Sequence, residues 1–173
     1  MYSQKDPRWA NIRLGTSSRT IGQEGCLLCC VADMLRPCNY KLNPARLNRW
    51  LTLHDGYISG NRFVFDSVKP LGAELIVVHD WQKTLADVSV LQGLWEDGCH
   101  LLLEVNFNPW GKFVNHWVSV VDVGVVIEVH DPWLPPDYVL DTIDLLASYA
   151  KPTQDFGHAI YRAVAYRVDG MPF

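Results

Sequence analysis

The chain has 173 residues, 49% of them apolar and 20% charged, with seven Trp, so it can build one packed core and carries no compositional mark of disorder. Its 15 Lys and Arg stand against 19 Asp and Glu, a formal charge of -4, which lacks the basic excess that phosphate-backbone binding needs and excludes nucleic acid as a partner. The longest apolar runs are broken by Glu104, Asp122 and Glu128 well short of a membrane span, and the opening MYSQKDPRWA lacks the basic stretch and apolar run of a secretory signal. The expectation is a soluble chain, cytoplasmic after synthesis, with no membrane span.

No charge block, linker or internal repeat divides the sequence, and it reads as one domain over residues 1–173. Residues 10–25, with Gly15, Thr16, Ser17, Ser18, Gly22 and Gly25, predict a turn-rich approach to the apolar run Cys26–Leu35, a helix closed by Pro37. Cys26 therefore starts a helix. Asn43-Pro44 predicts a cap followed by proline in the first turn, and Leu47, Trp50 and Leu51 then recur on one helical face. A strand over Glu74–His79, a helix over Val88–Asp97 stopped by Gly98, and a strand over Leu101–Asn106 follow. Strands at His116–Asp122 and Val125–Asp131, a helix at Asp141–Tyr149 and a closing strand at Ala159–Val168 complete the chain. Helices first and a mostly antiparallel sheet second predict the α+β class.

The two runs flanking Val123-Gly124 predict a hairpin, and an even-length loop there pairs His116 with Asp131, Val118 with Val129 and Val120 with Ile127. Directly opposed residues have Cβ atoms roughly 4.5–5.5 Å apart, which suits an imidazole and a carboxylate sharing a hydrogen bond at the rim of an apolar sheet face. His130 falls on the other face, beside Trp117, and reads as a packing or surface residue.

The five cysteines, Cys26, Cys29, Cys30, Cys38 and Cys99, are odd in number and four of them share one segment, which argues against a disulfide framework. A zinc or iron-sulfur knuckle built on Cys26-Leu-Leu-Cys29 lacks the second ligand cluster such sites draw on, and neither a metal nor a cofactor is expected. A nucleophilic thiol at neutral pH needs its pKa brought from about 8.5 to about 4, roughly 6 kcal/mol, of which a helix N-terminus contributes at most about 2. The remainder calls for a protonated imidazole in contact, with an acid behind it. Cys29 and Cys30 lie inside the helix, Cys38 follows Pro37 and Cys99 leads into a strand, so Cys26 is the candidate nucleophile. The oxyanion of an acyl-transfer intermediate would be met by the Cys26 N–H and a side-chain amide, for which Gln4 and Gln23 are both candidates.

Gln4-Lys-Asp-Pro-Arg-Trp9, Leu14-Gly15, Thr20-Ile21-Gly22 and Gly25-Cys26 ahead of an apolar helix resemble the opening of papain-like cysteine peptidases related to the bacteriocin-processing, double-glycine-leader peptidases, family thirty-nine of the cysteine class. Asn115-His116-Trp117-Val118 and Val129-His130-Asp131-Pro132 are similar to that family's base and orienting-acid segments. The resemblance implies a papain-like fold, with Cys26 as nucleophile, His116 as general base and then acid, Asp131 holding the imidazole and Gln4 as oxyanion donor, which leaves Gln23 a loop residue. The chain departs from relatives in having Cys29-Cys30 where a small hydroxylated pair is common. Its wide Gln-to-Cys spacing is that of stand-alone members, found in bacteria and in phage genomes beside tail or lysis functions. The implied substrate is therefore a cell-wall (peptidoglycan) peptide or a glycine-rich linker. An alternative is a catalytically idle component of a phage tail tip, bound to other tail proteins.

Overall fold

The computed structural model describes residues 1–39 and 41–169. Two short helices in tandem, α1 (Ile21–Glu24) and α2 (Cys26–Met34), are followed by α3 (Pro44–Leu53), a small hairpin of β1 (Tyr57–Ile58) and β2 (Arg62–Phe63), and a 3-10 turn over Phe65–Leu71. Next come β3 (Ala73–Asp80), α4 (Val88–Glu96), β4 (His100–Asn106), β5 (Asn115–Val123), β6 (Ile127–His130), β7 (Ile143–Asp144), α5 (Leu145–Tyr149), α6 (Phe156–Ala159) and β8 (Ile160–Val168). No helix among the described residues is long and apolar enough to cross a membrane.

Local chemistry accounts for most boundaries. The Asn43 side chain accepts from Arg46 N–H with Pro44 in the first turn of α3, Asp87 accepts from Ser89 N–H at the start of α4, and Gly98 takes φ 73° just past its end. The expected helix over Asp141–Tyr149 is corrected: Ile143 and Asp144 pair with β6 as β7, and the Asp144 side chain then caps a shorter helix by accepting from Ala147 N–H. The turn-rich approach over 10–25 also contains α1, which the small polar residues around it hid.

Six strands form one antiparallel sheet in the order β3-β8-β4-β5-β6-β7, so the last strand of the chain is inserted between β3 and β4. Both faces are covered. Leu102, Trp117, Val164 and Tyr166 pack with α2 and α3, while Leu101, Leu103, Val105, Val118 and Val129 pack with α4 and α5. This explains why Leu101, Leu102 and Leu103 of β4 read as a continuous apolar run and not as an alternation. The helices are accordingly shared between the two faces and interleaved with the strands, not gathered ahead of the sheet.

The predicted register of the β5–β6 hairpin is wrong. Three residues, 124–126, link the strands, Val123 pairs with Ile127 and Asp122 with Glu128; a bulge at Val121 then sets Val120 against Val129 and Ser119 against His130. The odd loop and the bulge together displace the pairing by two residues. Because an even slip returns every side chain to its own face, His116 and Asp131 stay on one side of the sheet, on a diagonal instead of directly opposed.

Candidate active site

Three segments distant in sequence meet at one end of β5. The first is the α1–α2 junction. The Gln23 side-chain oxygen accepts from Thr20 N–H at 3.0 Å, closing the first turn of α1, and Gly25 N–H reaches Ile21 O at 2.8 Å. A Cβ on Gly25 would lie 2.5 Å from that same carbonyl oxygen, so only glycine lets the chain turn this tightly into α2. Cys26 is thereby the first residue of α2, and Leu28, Val31, Ala32 and Met34, all buried in the core, hold the helix against the sheet. Each large apolar side chain buried in this way stabilises by roughly 1.5–3 kcal/mol.

The second and third segments are the start of β5 and the loop after β6. His116 Nε2 lies 2.7 Å from Asp131 Oδ1, and Cys26 lines the same cleft as the imidazole, near enough to raise its pKa. With Nε2 on the carboxylate, Nδ1 is the nitrogen left for sulfur. The ring is enclosed by aromatics, with centroids at 4.9 Å for Phe107, 6.0 Å for Tyr149 and 6.5 Å for Trp133. Burial pushes the His116 pKa down, but the hydrogen bond to Asp131 and the nearby Cys26 thiol, with their negative charge, outweigh it and carry it up to about 9. Asp131 is itself desolvated, which raises its pKa, yet donors from His116, Tyr149 and Trp133 N–H hold it below the usual carboxylate range. A thiol, an imidazole and an ionised carboxylate in series can move a proton from sulfur to nitrogen and stabilise the resulting charges.

Gln4 joins from the N-terminal segment. Its backbone N–H donates to Pro132 O at 2.8 Å, tying it to the residue after Asp131, while its side-chain Nε2 donates to Gly22 O at 3.1 Å. The Gln4 side chain is buried, its Oε1 has no hydrogen bond, and a second Nε2 hydrogen remains for an acceptor. Lys5 braces the same corner: Nζ donates to Gly22 O at 2.8 Å and sits 3.1 Å above the Trp133 ring. Gln4, Cys26, His116, Phe65, Trp117 and Trp133 all line one cleft of about 940 Å³. Gln23 also borders this cleft, but it is exposed and its oxygen is used in the turn of α1.

The four candidate residues Gln4, Cys26, His116 and Asp131 are thus brought together. The other cysteines stand apart: burial raises the pKa of Cys29 and Cys30 well above the usual thiol value, and also raises those of Cys38 and Cys99. Among the described residues no three His, Cys, Asp or Glu side chains are grouped to hold a metal ion, so the knuckle reading of Cys26 and Cys29 has no ligand set there. His130 is not among the residues lining the cleft. Sequence reasoning missed Tyr149, whose hydroxyl donates to Asp131 Oδ2 at 2.6 Å, and a charged row across three strands, in which Arg162 lies 2.9 Å from Asp80 and 3.4 Å from the buried Glu104. Neither leaves a local signal, since each depends on which strands become neighbours. No family model matches the chain, and no curated protein matches it.

Proposed function

We propose that this chain is a cysteine peptidase of papain-like architecture that hydrolyses a peptide or isopeptide bond through an acyl-enzyme on Cys26. His116 takes the thiol proton, and the thiolate attacks the scissile carbonyl carbon. The oxyanion that forms accepts from the Cys26 N–H and from Gln4 Nε2. The His116 imidazolium then gives its proton to the leaving amine, and a water deprotonated by the same ring releases the acyl group. Asp131 keeps the ring in one tautomer and stabilises its charged form.

The observation that carries this reading is the His116–Asp131 hydrogen bond at 2.7 Å beside Cys26, inside a cleft that Cys26, His116 and Gln4 all line. A volume of about 940 Å³ is at the upper end for ligand clefts and accommodates several residues of an extended chain. The substrate we favour is a cell-wall peptide or glycine-rich linker, by resemblance to stand-alone members of the peptidase family. Brief iodoacetamide treatment at neutral pH followed by adduct mapping tests the mechanism: Cys26 is labelled first, and His116→Ala slows it. Preferential labelling of another cysteine rejects the mechanism. Digestion of purified peptidoglycan tests the substrate, and equal release of soluble peptides by the wild type and Cys26→Ala rejects it.

A further inference from the structure

The Asp131 carboxylate is held on both oxygens. Oδ1 accepts from His116 Nε2 and from Trp133 N–H, each at 2.7 Å, while Oδ2 accepts from the Tyr149 hydroxyl at 2.6 Å. Rotation about the Cβ–Cγ bond would break all three. Other tyrosine hydroxyls in this fold meet neutral acceptors: Tyr166 donates to Phe65 O and the partly buried Tyr2 to Leu42 O, both at 2.9 Å, and Tyr57 to Asn48 Oδ1 at 3.0 Å. Tyr149 instead meets an ionised group, and a donor to a charged acceptor makes a shorter and stronger bond.

The placement of Tyr149 follows from the same ladder that places Asp131. β6 ends at His130, one residue before Asp131, and pairs with β7 through Val129 and Ile143; α5 starts directly from β7 and ends on Tyr149. Tyr149 lines a second, polar cavity of about 260 Å³ with Asn106, Lys151, His158 and Tyr161, and Asp131 is not part of that lining.

We propose that Tyr149 is a positioning residue of the Cys26 site, its hydroxyl locking the Asp131 carboxylate so that Oδ1 stays aimed at His116 and its ring closing the carboxylate off from the second cavity. This rests on the function proposed above. Without the hydroxyl, Oδ2 is a buried anionic oxygen with no donor. The carboxylate then becomes more basic, holds the imidazolium proton more tightly and is free to turn. Asp131, Cys30, Cys26 and the His116 ring lie on one side of Tyr149, and Lys151, His158 and Tyr161 share the second cavity with it; of these only Asp131 receives its hydroxyl.

Two isosteric replacements test this in opposite directions, with readouts that need no substrate. The His116 ring is titrated by nitrogen NMR, and the rate of Cys26 alkylation by iodoacetamide is measured against pH. Tyr149→Phe raises the His116 titration point by about half a unit or more, about threefold in proton affinity, and raises the Cys26 alkylation rate at neutral pH by up to about threefold, because a more firmly protonated ring favours the thiolate. Tyr149→3-fluorotyrosine, with a more acidic hydroxyl and hence a stronger donor, moves the titration point down. In an Asp131→Asn background Tyr149→Phe adds no further shift, as it must if it acts through Asp131. A wild-type Cys26 that is labelled first, with a His116 titration unmoved by either replacement, overturns the role of Tyr149 and leaves the proposed function standing. A wild-type Cys26 that is not labelled first overturns both.

Discussion

Two histidines on adjoining strands, His116 at the rim of β5 and His100 at the start of β4, are both pushed by burial toward the neutral form, yet they end far apart. His100 falls to about 4, with only the Ser119 hydroxyl 2.9 Å from Nε2, while His116 rises to about 9 between Asp131 and Cys26. Withdrawal from water is common to both, so the partner decides. A hydroxyl is content with a neutral imidazole; a carboxylate and a thiol that can ionise favour a charged one. The His116 end of these strands is therefore organised for proton transfer, and the His100 end for packing.

The largest change expected is in Asp131→Asn, which makes the surroundings of His116 resemble those of His100. His116 should fall from about 9 to below its ordinary 6.5, a loss on the order of 300-fold in proton affinity, read directly by NMR titration. A titration point still near 9 would mean that Asp131 does not set the charge of the ring.

Next in size is the pH dependence of stability. A raised folded pKa gives His116 a contribution that is complete below about 6.5 and lost as pH climbs through about 9. A depressed one gives His100 the reverse, complete above about 6.5 and lost as pH falls toward about 4. Each limb is worth up to about 3 kcal/mol, with the maximum near pH 6.5. Urea midpoints across this range should show both limbs; His116→Gln removes the alkaline one and His100→Gln the acid one. Identical profiles in the two variants would dissolve the contrast.

Ser119→Ala, which leaves His100 Nε2 without its partner, should cost about 1–3 kcal/mol of stability while Cys26 labelling keeps its rate. A fall in labelling would show that the two regions are coupled. The smallest effect expected is that of Lys5→Met, which removes the cation over Trp133 and its bond to Gly22 O: about 0.5–2 kcal/mol, seen as a lower urea midpoint.

Elements whose cause is local were legible in advance. Pro44 behind its Asn43 cap, Gly98 after α4 and the apolar run from Cys26 each act over a few residues, and the helices and strands they imply are found within a residue or two. β7 was missed because Ile143 and Asp144 are a strand only by virtue of pairing with Val129 and Glu128. The register of β5 on β6 was misread because a bulge at Val121 depends on how both faces of β5 pack, Trp117 toward α2 and Val118 toward α4 and α5. Its consequence for the site was mild, since a slip of two keeps His116 and Asp131 on one face.

The same division holds for the chemistry. The reactive inventory is legible from residue type alone: a thiol at a helix start, a His-Trp strand, an Asp-Pro strand end and two candidate glutamines ahead of the thiol, one of them far from it in the chain. Long-range packing settles the rest: Gln4 is buried with its N–H on Pro132 while Gln23 is spent on α1, Nε2 of His116 faces the carboxylate, and Tyr149 stands behind it. Residue type and near-neighbour spacing set which groups are available and in what local conformation. Which of them meet is set by the two apolar faces of one sheet, each of which must be covered by helices from distant parts of the chain, and that constraint is not written in any one segment.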